Sequence, residues 1–344
     1  MKGSVIALGH IKGREVAALL RDGVLQDLAL EAEGLAPGCL LRGTVGRPVK
    51  GMGGVFVDLP DGERGFLKQP KGLAPGQSIL VQVAGTAEPG KATPLTLRLL
   101  FKSRYAIVTP GSPGLNVSRA IRDTETRAEL EALAATGMAG AGDDIGLILR
   151  SACDAADIDE ITDDIVEMRA LAEAVLADVS GAPELLVDAP GPHELAWRDW
   201  GDVDEVDTSD EALDHSGALD QIEALAQPLV LLEGGASMVI EATRALIAVD
   251  VNTGNDTSPA AGLKASLAAA RDLPRQLRLR GLGGIVVVDL APCPKRDRHV
   301  VEQALGKAFR ADPGEVNLAG WTPLGNFELT RKRDRVPLAA WLSA

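Results

Sequence analysis

Two acidic side chains and one amide come directly after apolar runs, where they could bind a divalent metal ion. Asp250 and Asn252 follow the run 245–249, and Asp289 follows the run 285–288. Residues two apart on an extended chain point to the same side, so Asp250 and Asn252 would share a face. Mg²⁺ prefers oxygen ligands and usually binds one or two carboxylates together with a substrate phosphate. Such an ion can lower the pKa of a bound water and stabilise charge on a phosphate oxygen, so the pattern indicates phosphoester chemistry.

A strand–helix–strand unit would position these residues. The two apolar runs predict buried strands, and apolar residues at spacings of three and four predict a helix from about 258 to 280. A crossover of this kind makes its two strands parallel and close. The all-apolar run 285–288 is typical of a strand covered on both faces. Ligands gather at the carboxyl ends of such strands, so we expect Asp289 beside Asp250. Spacing alone leaves two alternatives, a helix N-cap and an ordinary turn.

The charge of the 344-residue chain is unevenly distributed. The net charge of −14 argues against a nucleic-acid partner, because phosphates are neutralised by Lys and Arg. However, acids crowd residues 154–214, whereas bases cluster elsewhere, for example at 271–280, 295–298 and 331–335. This asymmetry allows a local basic track that binds nucleic acid, with solvated surface charge as the alternative.

Short strands and turns predominate in the first hundred residues. Apolar runs over residues 4–31, with a hairpin signal at Arg21-Asp22-Gly23, predict a small antiparallel sheet. From 37 to 100, five short strands separated by Gly and Pro predict a barrel of the OB type. The expected barrel strands are 40–45, 54–59, 64–67, 78–84 and 94–100.

The middle of the chain combines two helices with a less regular stretch. Residues 124–135 and 160–177 are helical by pattern and propensity. The Pro- and Asp-rich stretch 181–206 predicts a loop or linker. The three widely spaced cysteines argue against a disulfide framework or a cysteine zinc site. No apolar stretch is long enough to cross a bilayer and the start lacks a secretion signal, so we expect a cytoplasmic protein without a membrane partner.

The segment 234–289 resembles the catalytic region of the ribonuclease E/G family, whose motifs are long, ordered and specific. The matching residues are 234–235, 240–246, 249–254 and 275–289, followed near the end by 324–325 and 328–333. The resemblance extends more weakly over most of the chain.

This resemblance implies a Mg²⁺-dependent endoribonuclease that cuts single-stranded RNA and leaves a 5′-phosphate and a 3′-hydroxyl. The activity would serve RNA processing or turnover, including that of ribosomal RNA. Asp250 and Asp289 would bind the metal, and Asn252 would orient the metal site and the scissile phosphate. Arg275 and Arg278 lie in a family motif and are candidate RNA contacts, with simple ion pairing as the alternative.

Two other regions resemble parts of the family that contact RNA. Phe56 and Phe66 match aromatic residues that contact bases, and Lys91 matches a basic position that faces the substrate. Core phenylalanines and a solvated lysine are the alternatives. Arg150 and Ser151 match the residues that grip a 5′-monophosphate, with a buried, ion-paired Arg as the alternative. Because a basic residue of that sensor is replaced near 312–315, we expect 5′ sensing to be weakened or lost.

The resemblance also implies the architecture, a multidomain fold of α/β and α+β type. An OB-type RNA-binding barrel of the ribosomal S-one kind, at 37–100, would be inserted in a ribonuclease H-like fold whose first part is 1–36. A 5′-sensor-like region would occupy 101–180, and the second ribonuclease H-like part with a linker would occupy 181–228. A mixed α/β, metal-dependent catalytic domain of the DNase-I-like kind would occupy 229–344.

The chain departs from the family at two further points. The region between Arg150 and Gly234 is shorter and more acidic than the resemblance leads us to expect. The family's downstream cysteine motif for a shared zinc is missing, so we expect a short form with no zinc in this chain. A homodimer through the catalytic domain is still allowed. Two other functions stay open: a weakly active or inactive RNA-binding accessory protein for ribosomal RNA, and a metal nuclease that acts on DNA.

Overall fold

The chain folds into two compact units. The computed structural model describes residues 3–49, 51–68, 71–88, 90–201 and 203–343. One unit consists of Met1–Glu31 with Val203–Ala344, and the other consists of Ala32–Asp202. Within the described ranges, no helix has the length and apolar character that crossing a membrane requires.

The first unit begins with an antiparallel sheet, as predicted. The strands β1 (Ser4–Ile11), β2 (Arg14–Arg21) and β3 (Val24–Leu30) form two consecutive hairpins. In the second turn Asp22 and Gly23 have positive φ angles of 49° and 76°. Two successive residues of this conformation make a tight turn that matches the twist of the strands, so the predicted hairpin is confirmed.

The second unit begins with a closed barrel. Its strands are β4 (Leu40–Val49), β5 (Gly54–Asp58), β6 (Arg64–Lys68), β7 (Ser78–Val83) and β8 (Thr93–Thr96). They pair in the order β4-β5-β6-β8-β7, and β7 pairs back onto β4. The predicted five-stranded, OB-like barrel is confirmed. The last strand ends earlier than predicted, because the backbone N–H of Arg98 donates to the hydroxyl of Thr96 instead of to a neighbouring strand.

A second sheet and two long helices form the rest of the core of this unit. The strands are β9 (Phe101–Lys102), β10 (Ala106–Pro110), β11 (Leu115–Val117) and β12 (Ile145–Leu149), in the order β11-β12-β10-β9. The helices α1 (Thr124–Gly137) and α2 (Ile158–Ala177) confirm the two predicted helices. Each begins after an aspartate, Asp123 or Asp157, whose side chain accepts a hydrogen bond from a backbone N–H of the first turn.

The prediction of a loop or linker at 181–206 is wrong. This stretch contains β13 (Glu184–Val187), α3 (Pro192–Asp199) and most of β14 (Glu205–Asp207). β13 pairs with β4 of the barrel, whereas β14 runs parallel to β1. Pro192 lies in the first turn of α3, a position that suits proline because the N–H there has no partner within the helix. The elements are too short to show a periodic pattern, so their Pro and Asp content suggested a loop.

The rest of the first unit is a mixed sheet with helices. Its elements are α4 (Ala212–His215), α5 (Ala218–Ala224), β15 (Leu229–Leu231), β16 (Ser237–Ala242), β17 (Ile247–Asn252), α6 (Ala261–Leu279), β18 (Gly284–Asp289), α7 (Arg298–Ala311), β19 (Val316–Trp321), β20 (Phe327–Arg331) and α8 (Leu338–Ser343). The six strands pair in the order β15-β16-β17-β18-β20-β19.

The predicted strand–helix–strand unit is confirmed, since β17 and β18 are parallel neighbours joined by α6. Val249 and Val288 are buried in one apolar core with Leu273 of α6 and Leu305 of α7. On the opposite face of the sheet, Ile285 is 50% exposed. The prediction that β18 is covered on both faces is therefore wrong. Branched apolar residues favour any pleated strand, so an all-apolar run does not by itself show that both faces are covered.

Candidate functional site

The carboxyl ends of β17 and β18 bring two aspartates to one edge of the sheet. Asp250 and Asp289 are register partners in the parallel pair, and both are exposed. Neighbouring strands lie about 4.8 Å apart, so side chains at paired positions on the same face are adjacent. Asn252, two residues further along β17, donates from Nδ2 to Oδ2 of Asp250 at 2.8 Å. We call Asp250, Asn252 and Asp289 the carboxylate edge.

The two structural alternatives for these residues do not hold. The helix α6 begins at Ala261 after Ala260, so neither Asp250 nor Asn252 caps it. Both residues lie inside the strand β17, before the turn that contains Gly254. Their alternation with buried Val249 and Val251 explains why they face the same side of the sheet.

The carboxylate edge concentrates negative charge. Among the residues that the structure describes, no Lys or Arg nitrogen lies within 4.0 Å of the carboxylate of Asp250 or Asp289. Like charges at directly paired positions of a sheet repel each other. A shared cation would remove this repulsion. The hydrogen bond from Nδ2 of Asn252 leaves its amide oxygen available as a further ligand.

These donors fit Mg²⁺ better than a metal that requires a complete protein cage. Mg²⁺ commonly takes one or two carboxylates and fills its other positions with water and phosphate oxygens. Within the described ranges, no group of three or more His, Cys, Asp or Glu side chains is arranged to hold a metal. A site at the carboxylate edge would therefore need water or substrate to complete it.

A third acidic residue on this face was not assigned a role from sequence. Glu328 of β20 pairs with Val287 of β18, and Asp289 is two residues beyond Val287 on the same side of that strand. The alternation of buried Phe327 and Leu329 with Glu328 is the signal that places it there. Glu328 is therefore a diagonal neighbour of Asp289.

Phe56 and Phe66 form a pair on the surface of the barrel. They are register partners on β5 and β6, and their ring centroids are 5.4 Å apart in an edge-to-face arrangement. Both are half-buried and neither belongs to the apolar core of the barrel, so the alternative of core phenylalanines is wrong. The guanidinium carbon of Arg64 lies 5.8 Å from the ring centroid of Phe56. Lys91 is exposed and donates to Glu88 at 2.7 Å, as a solvated lysine would.

Arg275 and Arg278 are engaged inside the protein. Arg275 donates from Nε to Asp272 at 2.6 Å and from Nη1 to the carbonyl of Leu25 at 2.8 Å. Arg278 pairs with Asp312 and donates to a carbonyl of β3. Burial lowers the pKa of Arg278, although the charge of Asp27 opposes this effect. The structure supports the ion-pairing alternative, because these donors attach α6 to β3 and are not free for RNA.

Asp312 is the centre of a buried cluster of charges at the other end of β18, where Gly284 pairs with Arg331. Asp312 accepts from Arg331 at 2.8 Å and from the backbone N–H of Gly314 at 2.9 Å. A side chain on Gly314 would collide with the guanidinium of Arg331. We call this set the arginine cluster; its members are Asp27, Arg278, Asp312, Arg331 and Arg335. The segment 312–315, where the sequence indicated a lost sensor residue, therefore has a structural role.

Arg150, the candidate sensor residue, also has protein partners. It donates from Nη1 to the carbonyls of Arg104 at 3.2 Å and Arg198 at 2.9 Å, and from Nη2 to Asp199 at 2.7 Å. These contacts agree with the alternative of an ion-paired Arg, although the side chain is half-buried and not fully buried. Ser151, beside it, is exposed at the start of a short 3₁₀ turn.

The carboxylate of Asp199 also binds Lys102 at 2.7 Å and Arg198 at 2.9 Å. Burial alone would raise the pKa of Asp199. The hydrogen bonds and charges of Arg198 and Lys102 outweigh burial and lower the pKa to about 2. Asp199 is thus ionised at neutral pH and occupies the donors of Arg150 that a phosphate would need.

Comparison with known proteins identifies relatives over most of the chain. A sequence model described as "Ribonuclease E/G family" matches residues 101–212 and 200–334. Ribonuclease E of Nostoc sp. is 30% identical over 389 positions, which cover 96% of this chain and 56% of that protein. Ribonuclease E of Synechocystis sp. is 27% identical over 393 positions, which cover 96% of this chain and 57% of that protein. Ribonuclease G of Escherichia coli is 27% identical over 390 positions, which cover 92% of this chain and 77% of that protein. The chain thus spans little more than half the length of the two ribonuclease E relatives.

Proposed function

This chain belongs to the ribonuclease E/G family, and we propose that it is a Mg²⁺-dependent endoribonuclease that cuts single-stranded RNA in RNA processing or turnover. One observation carries this proposal: Asp250 and Asp289 lie side by side at the end of a parallel strand pair, exposed and without a cationic partner among the described residues. The names of the relatives, ribonuclease E and ribonuclease G, supply the class of reaction.

Each residue of the carboxylate edge has a distinct part in the proposed reaction. Asp250 and Asp289 hold the ion, and Asn252 fixes the orientation of Asp250 through its 2.8 Å hydrogen bond. Mg²⁺ bound there supplies charge stabilisation at the scissile phosphate and lowers the pKa of a water. The strand ladder holds the two carboxylates at a fixed separation, so the site needs little rearrangement when RNA binds.

The bonds that form and break determine the ends of the products. Water forms the new bond to phosphorus, the bond from phosphorus to the 3′ oxygen breaks, and that oxygen takes up a proton. The products carry a 5′-phosphate and a 3′-hydroxyl. Because both carboxylates are exposed, the scissile phosphate of an RNA can reach them from solvent.

The barrel supplies a separate RNA contact. Stacking of a base on an aromatic side chain contributes about 1–3 kcal/mol and tolerates any base, because every base has a flat face. The adjacent Phe56 and Phe66, with Arg64 beside them, offer such a surface. The exposed Lys91 can exchange its partner Glu88 for a phosphate at little cost.

Sensing of the RNA 5′ end is weak or absent in this proposal. The Arg150 donors are occupied by backbone carbonyls and by Asp199. A 5′-monophosphate would have to displace a carboxylate that is itself held by Lys102 and Arg198. RNAs with a 5′-hydroxyl and a 5′-monophosphate are therefore expected to be cut at similar rates.

A second candidate function is RNA binding without efficient cleavage, as an accessory protein for ribosomal RNA. The Phe56–Phe66 pair favours it, because this surface belongs to the barrel and requires no metal. Cleavage assays separate the two functions.

The experiment incubates purified protein with 5′-monophosphorylated single-stranded RNA, in Mg²⁺ or in EDTA. Asp250→Asn runs beside Glu302→Gln, a matched control that removes an exposed carboxylate from α7. Cleavage by the wild type and the control, lost in EDTA and in Asp250→Asn, supports the proposal. Cleavage by all three proteins indicates a contaminating nuclease and contradicts it. No cleavage by any of them, with RNA binding retained, favours the accessory protein.

A further inference from the structure

The turn between β19 and β20 lies at the same end of the sheet as the carboxylate edge. Phe327 pairs with Val288 on one side and with Trp321 on the other. Since Asp289 follows Val288, the turn residues 322–326 continue past the sheet beside Asp289. Part of this turn, 324–325, belongs to a family motif to which the proposed reaction gives no role. Leu324 in the turn is 92% exposed.

Arg298, the first residue of α7, is held against this turn. Its guanidinium carbon lies 4.6 Å from the ring centroid of Trp321. Its Nη2 lies 2.9 Å from the position that a Cβ on Gly325 would occupy, so any other residue at position 325 would displace the guanidinium from this place. Stacking on an aromatic face fixes the plane of a guanidinium while its N–H groups stay free to donate.

Arg298 has no acidic partner among the described residues. In the part of the chain that the structure describes, no carboxylate oxygen lies within 4.0 Å of its guanidinium nitrogens. Helix stability does not explain this cation either, because the helix dipole favours acidic residues in the first turn, and α7 has none there. Arg298 thus differs from Arg278 and Arg331, which bind Asp312.

We propose that Arg298 binds a phosphate of single-stranded RNA next to the scissile phosphate, and that Leu324 packs against the adjoining base. The inference rests on the proposed function, since it places the RNA strand across the carboxylate edge. A guanidinium presents paired N–H groups that match phosphate oxygens. The flat face of a base can cover an apolar side chain that otherwise extends into water.

The test measures RNA binding without cleavage. A short fluorescent single-stranded RNA is titrated in EDTA with the wild type, Arg298→Ala, Arg298→Lys, Leu324→Ser and Arg296→Ala, at several salt concentrations. Arg296 is the matched control, because it lies two residues before Arg298 in a short 3₁₀ turn but is exposed and paired with Asp297. Thermal unfolding of each variant checks that it is folded. The rate of cleavage in Mg²⁺ is measured for the same proteins.

We expect Arg298→Ala to weaken binding about ten-fold and to lower the slope of log affinity against log salt by about 0.7, the value for one lost phosphate contact on a single strand. Arg298→Lys should restore the slope but only part of the affinity, because lysine lacks the planar fork. Arg296→Ala should change affinity less than about two-fold. Leu324→Ser should weaken binding about three-fold without a change in slope, because a base contact is not ionic.

Equal affinity and slope in Arg298→Ala and Arg296→Ala would overturn the inference, because the effect would then be general surface charge. Failure of the proposed function gives a different result. If the wild type cuts no RNA but Arg298→Ala still binds more weakly with a lower slope, catalysis is refuted and the RNA contact stands. If the wild type cuts RNA and Arg298→Ala is unchanged in both assays, catalysis stands and the contact is refuted.

Discussion

The two ends of β18 place acidic residues in opposite surroundings. At its carboxyl end, Asp289 is exposed beside Asp250, and among the described residues neither has a cationic partner. At its amino end, Arg331 binds Asp312, and their side chains are only 2% and 1% exposed. Buried charges require partners within the protein. Exposed like charges at paired positions lower stability, so we attribute their arrangement to the proposed ligand. The contrast is between a proposed catalytic site and a buried cluster of ion pairs at the two ends of one strand.

The largest expected difference follows from neutralising one member of the carboxylate edge. Asp289→Asn should lower the rate of RNA cleavage by on the order of a thousand-fold, because electrostatic stabilisation at a reacting centre is the largest catalytic term. The free energy of unfolding should change by less than about 0.5 kcal/mol, since the residue is exposed. Cleavage assays and urea unfolding on the same preparation test both. A large loss of stability would contradict this prediction and would show that Asp289 stabilises the fold, as Asp312 does.

The reverse result is expected at the arginine cluster. Asp312→Ala should lower the free energy of unfolding by about 3 kcal/mol, because it leaves Arg331 buried without a carboxylate and Arg278 with only the more distant Asp27. Cleavage by the fraction that stays folded should be close to that of the wild type. Urea unfolding with Glu302→Ala as the exposed control measures the first effect. If Asp312→Ala were as stable as Glu302→Ala but inactive, Asp312 would have a role in catalysis and not in stability.

A substitution at Gly314 tests the arginine cluster by adding a methyl group instead of removing a charge. Gly314→Ala should destabilise the protein by about 2 kcal/mol, because the new methyl group collides with the buried Arg331 guanidinium. Gly306→Ala is the matched control, since its Cβ would meet Arg310 at an acceptable 3.4 Å and alanine favours the helix α7. Differential scanning calorimetry should show a lower unfolding temperature only for Gly314→Ala. Equal temperatures would mean that the cluster can shift to accept the methyl group.

Asp199 in the other unit extends the comparison to pH and should show the smallest effect. Its pKa of about 2 in the folded chain lies below the roughly 3.9 of an unfolded aspartate. Its contribution is therefore complete above about pH 4 and is lost as pH falls toward 2. We expect on the order of 1 kcal/mol, because Asp199 is partly exposed. The stability difference between the wild type and Asp199→Asn, measured by urea unfolding from pH 5 to 2.5, should shrink as pH falls. A constant difference would show that the pKa is not depressed.

The sequence predicts an arrangement best where a short pattern determines it. The alternation around Asp250 and the crossover to β18 were sufficient to bring the two carboxylates together. The short strands and the helix within 181–206 were not predicted, because proline at a helix start and proline in a loop look the same in sequence. The partners of the arginines could not be predicted for a different reason. Arg278 and Arg298 are the same residue type in helical segments, and only the fold shows that one is paired with Asp312 and the other is stacked on Trp321.

The claim that Asp250 and Asp289 share one divalent ion is tested most directly by counting bound metal. Electron paramagnetic resonance of Mn²⁺ gives the number of ions bound per chain, and excess Mg²⁺ should displace them if the site takes both metals. We predict one ion per wild-type chain and per Glu302→Gln chain, and loss of that ion in both Asp250→Asn and Asp289→Asn. One ion bound with unchanged affinity in either aspartate variant would contradict a shared site at the end of β17 and β18.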